Sequence, residues 1–245
     1  MVINVAEMLE GAKSARGTAV IIDVFRAFSV ECYLFANGVR CLFAVGDLEM
    51  AYELKRQHPE ALLVGERKGF PMPGFDCGNS PHLLSRLDLR GKTVIHPTSS
   101  GTQGLAAASG AQEIITGSLV NARAVAEYLL SEQPRSVTLV AMGLEGKISA
   151  EEDVLCARYI EAQLLGRPWD RSCLEEQAER LRFSSGRRFF DTELQEAMPQ
   201  EDFHLCIAAD RFPFVIRAIN RGGYFEMVSS EINLTALDSQ RYQRD

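Results

Sequence analysis

The chain has 245 residues, of which 46% are apolar and 24% charged, enough for a large α/β core that needs no disulfide or metal to staple it. The formal net charge is −7 and there is no long basic run, which argues against nucleic acid or an anionic membrane as a partner; an anionic small molecule would need a local positive site set against the global charge. No stretch approaches the ~20 apolar residues that span a bilayer, and the N-terminus MVINVAEMLEGAK lacks a charged start followed by an apolar run, so a cytoplasmic location is expected.

Short apolar runs alternate with helical patterns along the chain. Residues 18–24 (TAVIIDV) read as a buried strand rich in β-branched side chains, and residues 27–37 as a helix with Gly38 at its C′ position. Strands are expected at 39–45, 61–66, 92–98, 113–118 and 136–143. Helices are expected at 47–57, with Asp47 as N-cap, at 104–109, at 122–132 and at 151–166, the last ending at Gly166. Residues 167–200 are rich in charge and read as a helical insertion or lid. At 202–220 the apolar pattern resumes, and the last ten residues read as a solvated tail. With no internal repeat and no linker, 1–245 is expected to form one α/β domain, a mainly parallel or mixed sheet between helical layers. The six cysteines form no C-x-x-C pair, and buried free thiols are expected.

In such sheets ligands bind beyond the carboxyl ends of the strands, and four clusters fall there. Asp23 and Arg26 follow the first buried strand. An acid there can hold a metal or attack phosphorus and the guanidinium can hold a phosphate, although Asp23 can equally cap the next helix and pair with Arg26. Gly65-Glu66-Arg67-Lys68-Gly69 sets one acid and two cations among glycines that let backbone amides approach an anion, or forms a charged surface turn. The stretch 74–81 (GFDCGNSP) carries Asp76 and Asn79; turn chemistry accounts for its Gly, Asn and Pro, but not for Phe75 and Cys77. Thr98, Ser99, Ser100, Gly101 and Thr102 place hydroxyls and amides where a helix begins, an anion cradle or an ordinary N-cap. His96 beside Pro97 reads as structural. Glu151, Glu152 and Asp153 read as acids favoured by a helix macrodipole. P-loop, H-E-x-x-H, G-x-S-x-G, C-x5-R and D-x-D signatures are all missing from the sequence.

The ordered series D-V-F-R-A-F-S, G-E-R-K-G, G-F-D-C-G-N-S-P, T-S-S-G-T, N-A-R-A-V-A and E-D-V-L-C-A resembles the 2-phosphosulfolactate phosphatase family, also called the ComB family, from about residue 18 to 160 and more faintly at 202–220. Ser100 stands where the family's T-T-N-G-T segment has Asn, Phe25 where it usually has Leu, and Arg158 where it usually has Gly. The resemblance implies a three-layer α/β/α fold and Mg²⁺-dependent hydrolysis of a small acidic phosphate monoester, 2-phosphosulfolactate, in coenzyme M biosynthesis. On this reading Asp23, Glu66 and Asp76 are metal ligands, or Asp23 is the nucleophile and the other two hold the metal. Asp23, Arg26, Glu66 and Asp76 form the catalytic set. Arg67, Lys68, Asn79 and residues 98–102 bind substrate, and the surplus of cations suits a second anionic group on it. The expected partners are that ester and, at most, a second copy of the chain. The alternatives are a non-catalytic small-anion binding or sensing protein and an α/β transferase using the same anion site.

Overall fold

The computed structural model describes residues 1–66, 72–167 and 169–232. Along the chain the elements are β1 (Val2–Glu7), α1 (Met8–Ser14), β2 (Thr18–Ile22), α2 (Ala27–Ala36), β3 (Cys41–Val45), α3 (Leu48–Gln57), β4 (Leu62–Leu63), α4 (Pro81–Leu84), β5 (Thr93–Pro97) and α5 (Ser100–Ala107). They continue with β6 (Glu113–Gly117), α6 (Ala122–Glu132), β7 (Ser136–Ala141), α7 (Glu151–Leu164), α8 (Arg171–Arg180), α9 (Gln200–Cys206), β8 (Phe214–Asn220) and β9 (Phe225–Glu231).

Among the described residues nine strands form one mixed sheet in the order β1-β7-β2-β6-β8-β9-β3-β5-β4. Pairs on either side are parallel, as βαβ connections require, but the antiparallel hairpin β8–β9 is inserted between β6 and β3. The apolar stretch after residue 202 does not announce this strand pair. There the chain forms α9, turns at Asp210 with φ 57°, and only then enters β8. In β9 only Phe225 and Met227 are buried, too sparse a pattern to announce a strand. The N-terminal β1 and α1 are likewise unmarked in the sequence pattern, because β1 is an edge strand with Val2 and Val5 exposed.

β2 is buried along its whole length, and its side chains divide between two cores. Val20 and Ile22 pack with α6 and α7 on one face, while Ala19 and Ile21 pack with α2 and α5 on the other, which is the pleat of a strand covered by two helical layers. Helices α2 and α7 stop where expected, Gly38 and Gly166 both having positive φ, and Asp47 caps α3 by accepting from Glu49 N at 2.7 Å. Residues 167–200 contain α8 followed by 3-10 turns at Leu181–Phe183, Arg187–Phe190 and Thr192–Leu194. Cys32, Cys156 and Cys206 are the buried thiols, Cys41 and Cys77 are half-buried, and Cys173, against expectation, is exposed on α8.

Two close approaches place the helix that follows β5. A Cβ on Gly104 would lie 2.4 Å from Met142 Sδ and 2.8 Å from Ile21 Cγ2, and one on Gly101 would lie 2.9 Å from Phe28 Cζ. Only glycine lets α5 lie this close to the ends of β2 and β7, although β5 itself is far from them in strand order.

Candidate active site

Beyond the carboxyl ends of the parallel strands lies a cavity of about 830 Å³. Its lining includes Asp23 and Arg26 after β2, Glu66 after β4, Asn79 before α4, Thr98, Ser99 and Ser100 after β5, and Gly143 after β7. A Cβ on Gly65 would meet Pro97 O at 2.4 Å, so that glycine lets the end of β4 press against β5 and brings Glu66 to the mouth.

Asp23 Oδ1 accepts from Ala27 N at 3.2 Å, the capping role its position allowed. Burial pushes its carboxyl up to about 7; the Ala27 hydrogen bond and Arg188 oppose this, while Glu152 and Glu66 add to it. Of the acids at the start of α7, Glu151 is exposed, but Glu152 and Asp153 are buried. Asp153 Oδ1 accepts from Val24 N and Oδ2 from Gly143 N, both at 2.8 Å, so one side chain ties the β2–α2 turn to the β7–α7 turn. Burial, then Glu152 and Asp23, hold its carboxyl well above the usual range. Glu152 is also buried, its carboxyl raised chiefly by burial, and its Oε2 has no hydrogen-bond partner among the described residues.

Two cations that the sequence did not mark share the cavity, and Arg188 acts on both Asp23 and Glu152. Arg188, half-buried, donates through Nη2 to Phe25 O at 2.9 Å, while its buried Nε has no hydrogen-bond partner among the described residues. Lys147 is exposed on the turn where Leu144 bridges Ile148. Both line the cavity. The Leu144–Lys147 stretch follows strand β7, so the strand-end rule that singled out residues 23 and 66 reaches it too. Arg188 sits in the charge-rich 167–200 segment, where the sequence carries no such marker.

Several nominated residues are engaged elsewhere. Asp76 does not line the cavity: its Oδ2 accepts from Leu63 N at 2.8 Å and its own N donates to Leu63 O, so it extends the exposed sheet edge beside β4. Arg26 lines the cavity, but its Nη1 donates to Asp202 Oδ2 at 2.7 Å and Ala197 O at 3.0 Å, with both side chains of the ion pair buried. Gly101 packs on Phe28, and Thr102 Oγ1 donates to Thr98 O at 2.6 Å; neither lines the cavity. Thr98 Oγ1 accepts from Thr102 N at 3.3 Å, and Ser100 Oγ donates to Gly143 O at 2.6 Å, which leaves the start of α5 braced by its own hydroxyls. Arg67 and Lys68 lie outside the described residues.

Asp23 and Glu66 line the cavity and Asp76 does not, so the expected trio is not brought together. Among the described residues no three His, Cys, Asp or Glu side chains group to hold a metal ion. The cavity does hold a pair of acids, Asp23 and Glu152, each buried, and Glu152 Oε2 has no hydrogen-bond partner among the described residues.

The family model described as 2-phosphosulpholactate phosphatase matches residues 3–220. This chain belongs to that family. Its relatives include the probable 2-phosphosulfolactate phosphatase of Caldicellulosiruptor saccharolyticus, 39% identical over 145 residues that make up 58% of this chain and 60% of the relative. The protein of the same name in Carboxydothermus hydrogenoformans is 40% identical over 161 residues, 65% of this chain and 66% of the relative. That of Clostridium perfringens strain SM101 is 37% identical over 167 residues, 66% and 67% of the two. The chain thus spans between 60% and 67% of the length of these curated relatives. The family's motifs after β2, β4 and β5 each contribute at least one residue to the cavity.

Proposed function

We propose that this family member is a phosphoric monoester hydrolase acting on a small phosphate ester that bears a second acidic group, of which 2-phosphosulfolactate is the type. The observation that carries the reading is the convergence of motif residues Asp23, Glu66, Asn79, Thr98 and Glu152 on one cavity, where Arg188 acts on both Asp23 and Glu152 and Lys147 is part of the lining.

Phosphoryl transfer asks mainly for positioning and charge neutralisation. The Ser100 backbone amide at the start of α5, with Ser99 and the Asn79 amide, donates to phosphoryl oxygens. Arg188 and Lys147, together with Arg67 and Lys68, offset the charge of the phosphate and of the second acid, while the Arg26 guanidinium is spent on Asp202. Asp23 and Glu152 would hold Mg²⁺, which takes one or two carboxylates and completes its shell with water and substrate phosphate; Glu152 Oε2 is the orphaned atom that such an ion would satisfy. When bound, the ion would neutralise the phosphoryl group and spare the two buried acids their mutual repulsion.

The test is release of inorganic phosphate from a panel of esters matched in size, with and without a carboxylate or sulfonate, in Mg²⁺ and in excess EDTA. The expected outcome is turnover that EDTA abolishes and Mg²⁺ restores. The diacid should be preferred by about 10- to 150-fold in kcat/KM, the worth of one charge-assisted contact of ~1.5–3 kcal/mol. A flat profile across the panel removes the second anion, and full turnover in EDTA removes the metal.

A further inference from the structure

Inside the layer between α2 and β5, where the neighbours are apolar, sit a histidine and a glutamate, His96 and Glu31, both fully buried. His96 Nδ1 lies 3.2 Å from Glu31 Oε1, and Nε2 lies 3.0 Å from Asn79 Oδ1. Glu31 Oε2 is buried with no hydrogen-bond partner among the described residues. A polar pair that leaves one of its own atoms unsatisfied is a poor stabilising device, because apolar side chains of the same volume would pack there without the desolvation cost. Its geometry serves the third member of the chain. Asn79 is buried and lines the cavity.

We infer that His96, backed by Glu31, is a positioning residue that fixes the Asn79 amide with its NH2 group toward the cavity, as a donor to a phosphoryl oxygen; the identity of that ligand rests on the function proposed above. An amide has one acceptor and one donor end. Oδ1 is used by His96, so that Nε2 carries a proton whichever way the proton between Nδ1 and Glu31 is shared, and only the NH2 end is left for a ligand. Without the histidine the amide is free to turn over and present Oδ1, which repels a phosphoryl oxygen.

The full-length variants Asn79→Ala, His96→Leu, His96→Gln and the double variant Asn79→Ala/His96→Leu are compared, after a melting curve for each. Two quantities are read in Mg²⁺ buffer, the Kd for inorganic phosphate by calorimetry and kcat and KM for a phosphate ester. Asn79→Ala and His96→Leu should each weaken phosphate binding by about 10- to 100-fold, and the double variant no further. His96→Gln, whose amide N–H can take the place of Nε2–H, should recover most of the loss. In 15N-histidine-labelled wild type, the His96 Nε2–H signal should shift when phosphate is added, and should lose that response in Asn79→Ala.

Additive losses, wild-type phosphate binding by His96→Leu, or an Nε2–H signal indifferent to phosphate would each overturn the inference. If His96→Leu fails to fold, the Gln variant and the wild-type spectrum decide. Phosphate binding that behaves as expected in a protein that hydrolyses no ester would sink the proposed function and leave this inference standing. Hydrolysis with additive losses would do the reverse.

Discussion

Glu152 and Asp153 are neighbours at the start of α7, yet their carboxylates do different things. Asp153 spends both oxygens on the amides of Val24 and Gly143, so it shapes the site, whereas Glu152 Oε2 is buried with no hydrogen-bond partner among the described residues. Glu152→Gln is therefore expected to lower kcat about as severely as Asp23→Asn, on the order of 10²-fold or more. Asp76→Asn should leave kcat nearly intact and cost about 1 kcal/mol of stability through the Leu63 amide. A steady-state comparison of the three variants, with a urea titration of each, checks both halves.

Glu31 provides a separate test by pH. Burial raises its carboxyl above the ordinary value, with His96 opposing the shift. The folded state then holds the Glu31 proton more tightly than the unfolded one, so stability falls as pH rises from the unfolded pKa towards the folded one and stays lowered above it. Glu31→Gln removes that term. The variant should show a flatter stability–pH curve above about pH 4.5 and gain on the wild type towards neutrality, measured by urea denaturation from pH 4 to 8.

At the scale of elements, α5 is placed by what it lacks. Gly104 lets the helix lie on Ile21 and Met142, and this carries its first turn to the cavity. In Gly104→Ala the new methyl group meets atoms at 2.4 and 2.8 Å that must move, so α5 is pushed off the sheet. The expected cost is about 1–3 kcal/mol, even though alanine is the better helix former, together with a raised KM. A gain in Tm with unchanged KM would contradict this placement. The segment 167–200 was legible as charged and helical. Its contribution of Ser185, Arg188 and Met198 to the cavity was not, because a charge-rich 3-10 segment carries no period that points a side chain anywhere.

Across the whole molecule, the Arg26–Asp202 pair joins parts of the chain 176 residues apart. Asp202 Oδ1 also accepts from Ser80 Oγ at 2.8 Å and His82 N at 3.0 Å, so this carboxylate fastens α9, the turn after β2 and the start of α4 together. Asp202→Ala leaves a buried guanidinium uncompensated and should destabilise the fold by about 3–5 kcal/mol, read as a lowered urea midpoint. A change below about 1 kcal/mol would mean that water reaches Arg26.

The alternation of buried apolar runs with helical patterns determined by itself that a sheet lies between helical layers, because burial on two faces leaves its mark locally, as in TAVII of β2. The ordered motifs likewise determined the family, and the strand-end rule found Asp23, Glu66, Asn79 and residues 98–100. What only the tertiary structure decided is which charges are spent. Arg26 meets Asp202, Asp76 meets the Leu63 amide, and Glu152, which reads as a helix-start acid, is buried at the cavity. The insertion of β8–β9 between β6 and β3 was also decided there. The physical reason is common to all of these: whether a carboxylate or a strand edge is free depends on partners far away in the chain, and local sequence records a residue's type but not what arrives beside it.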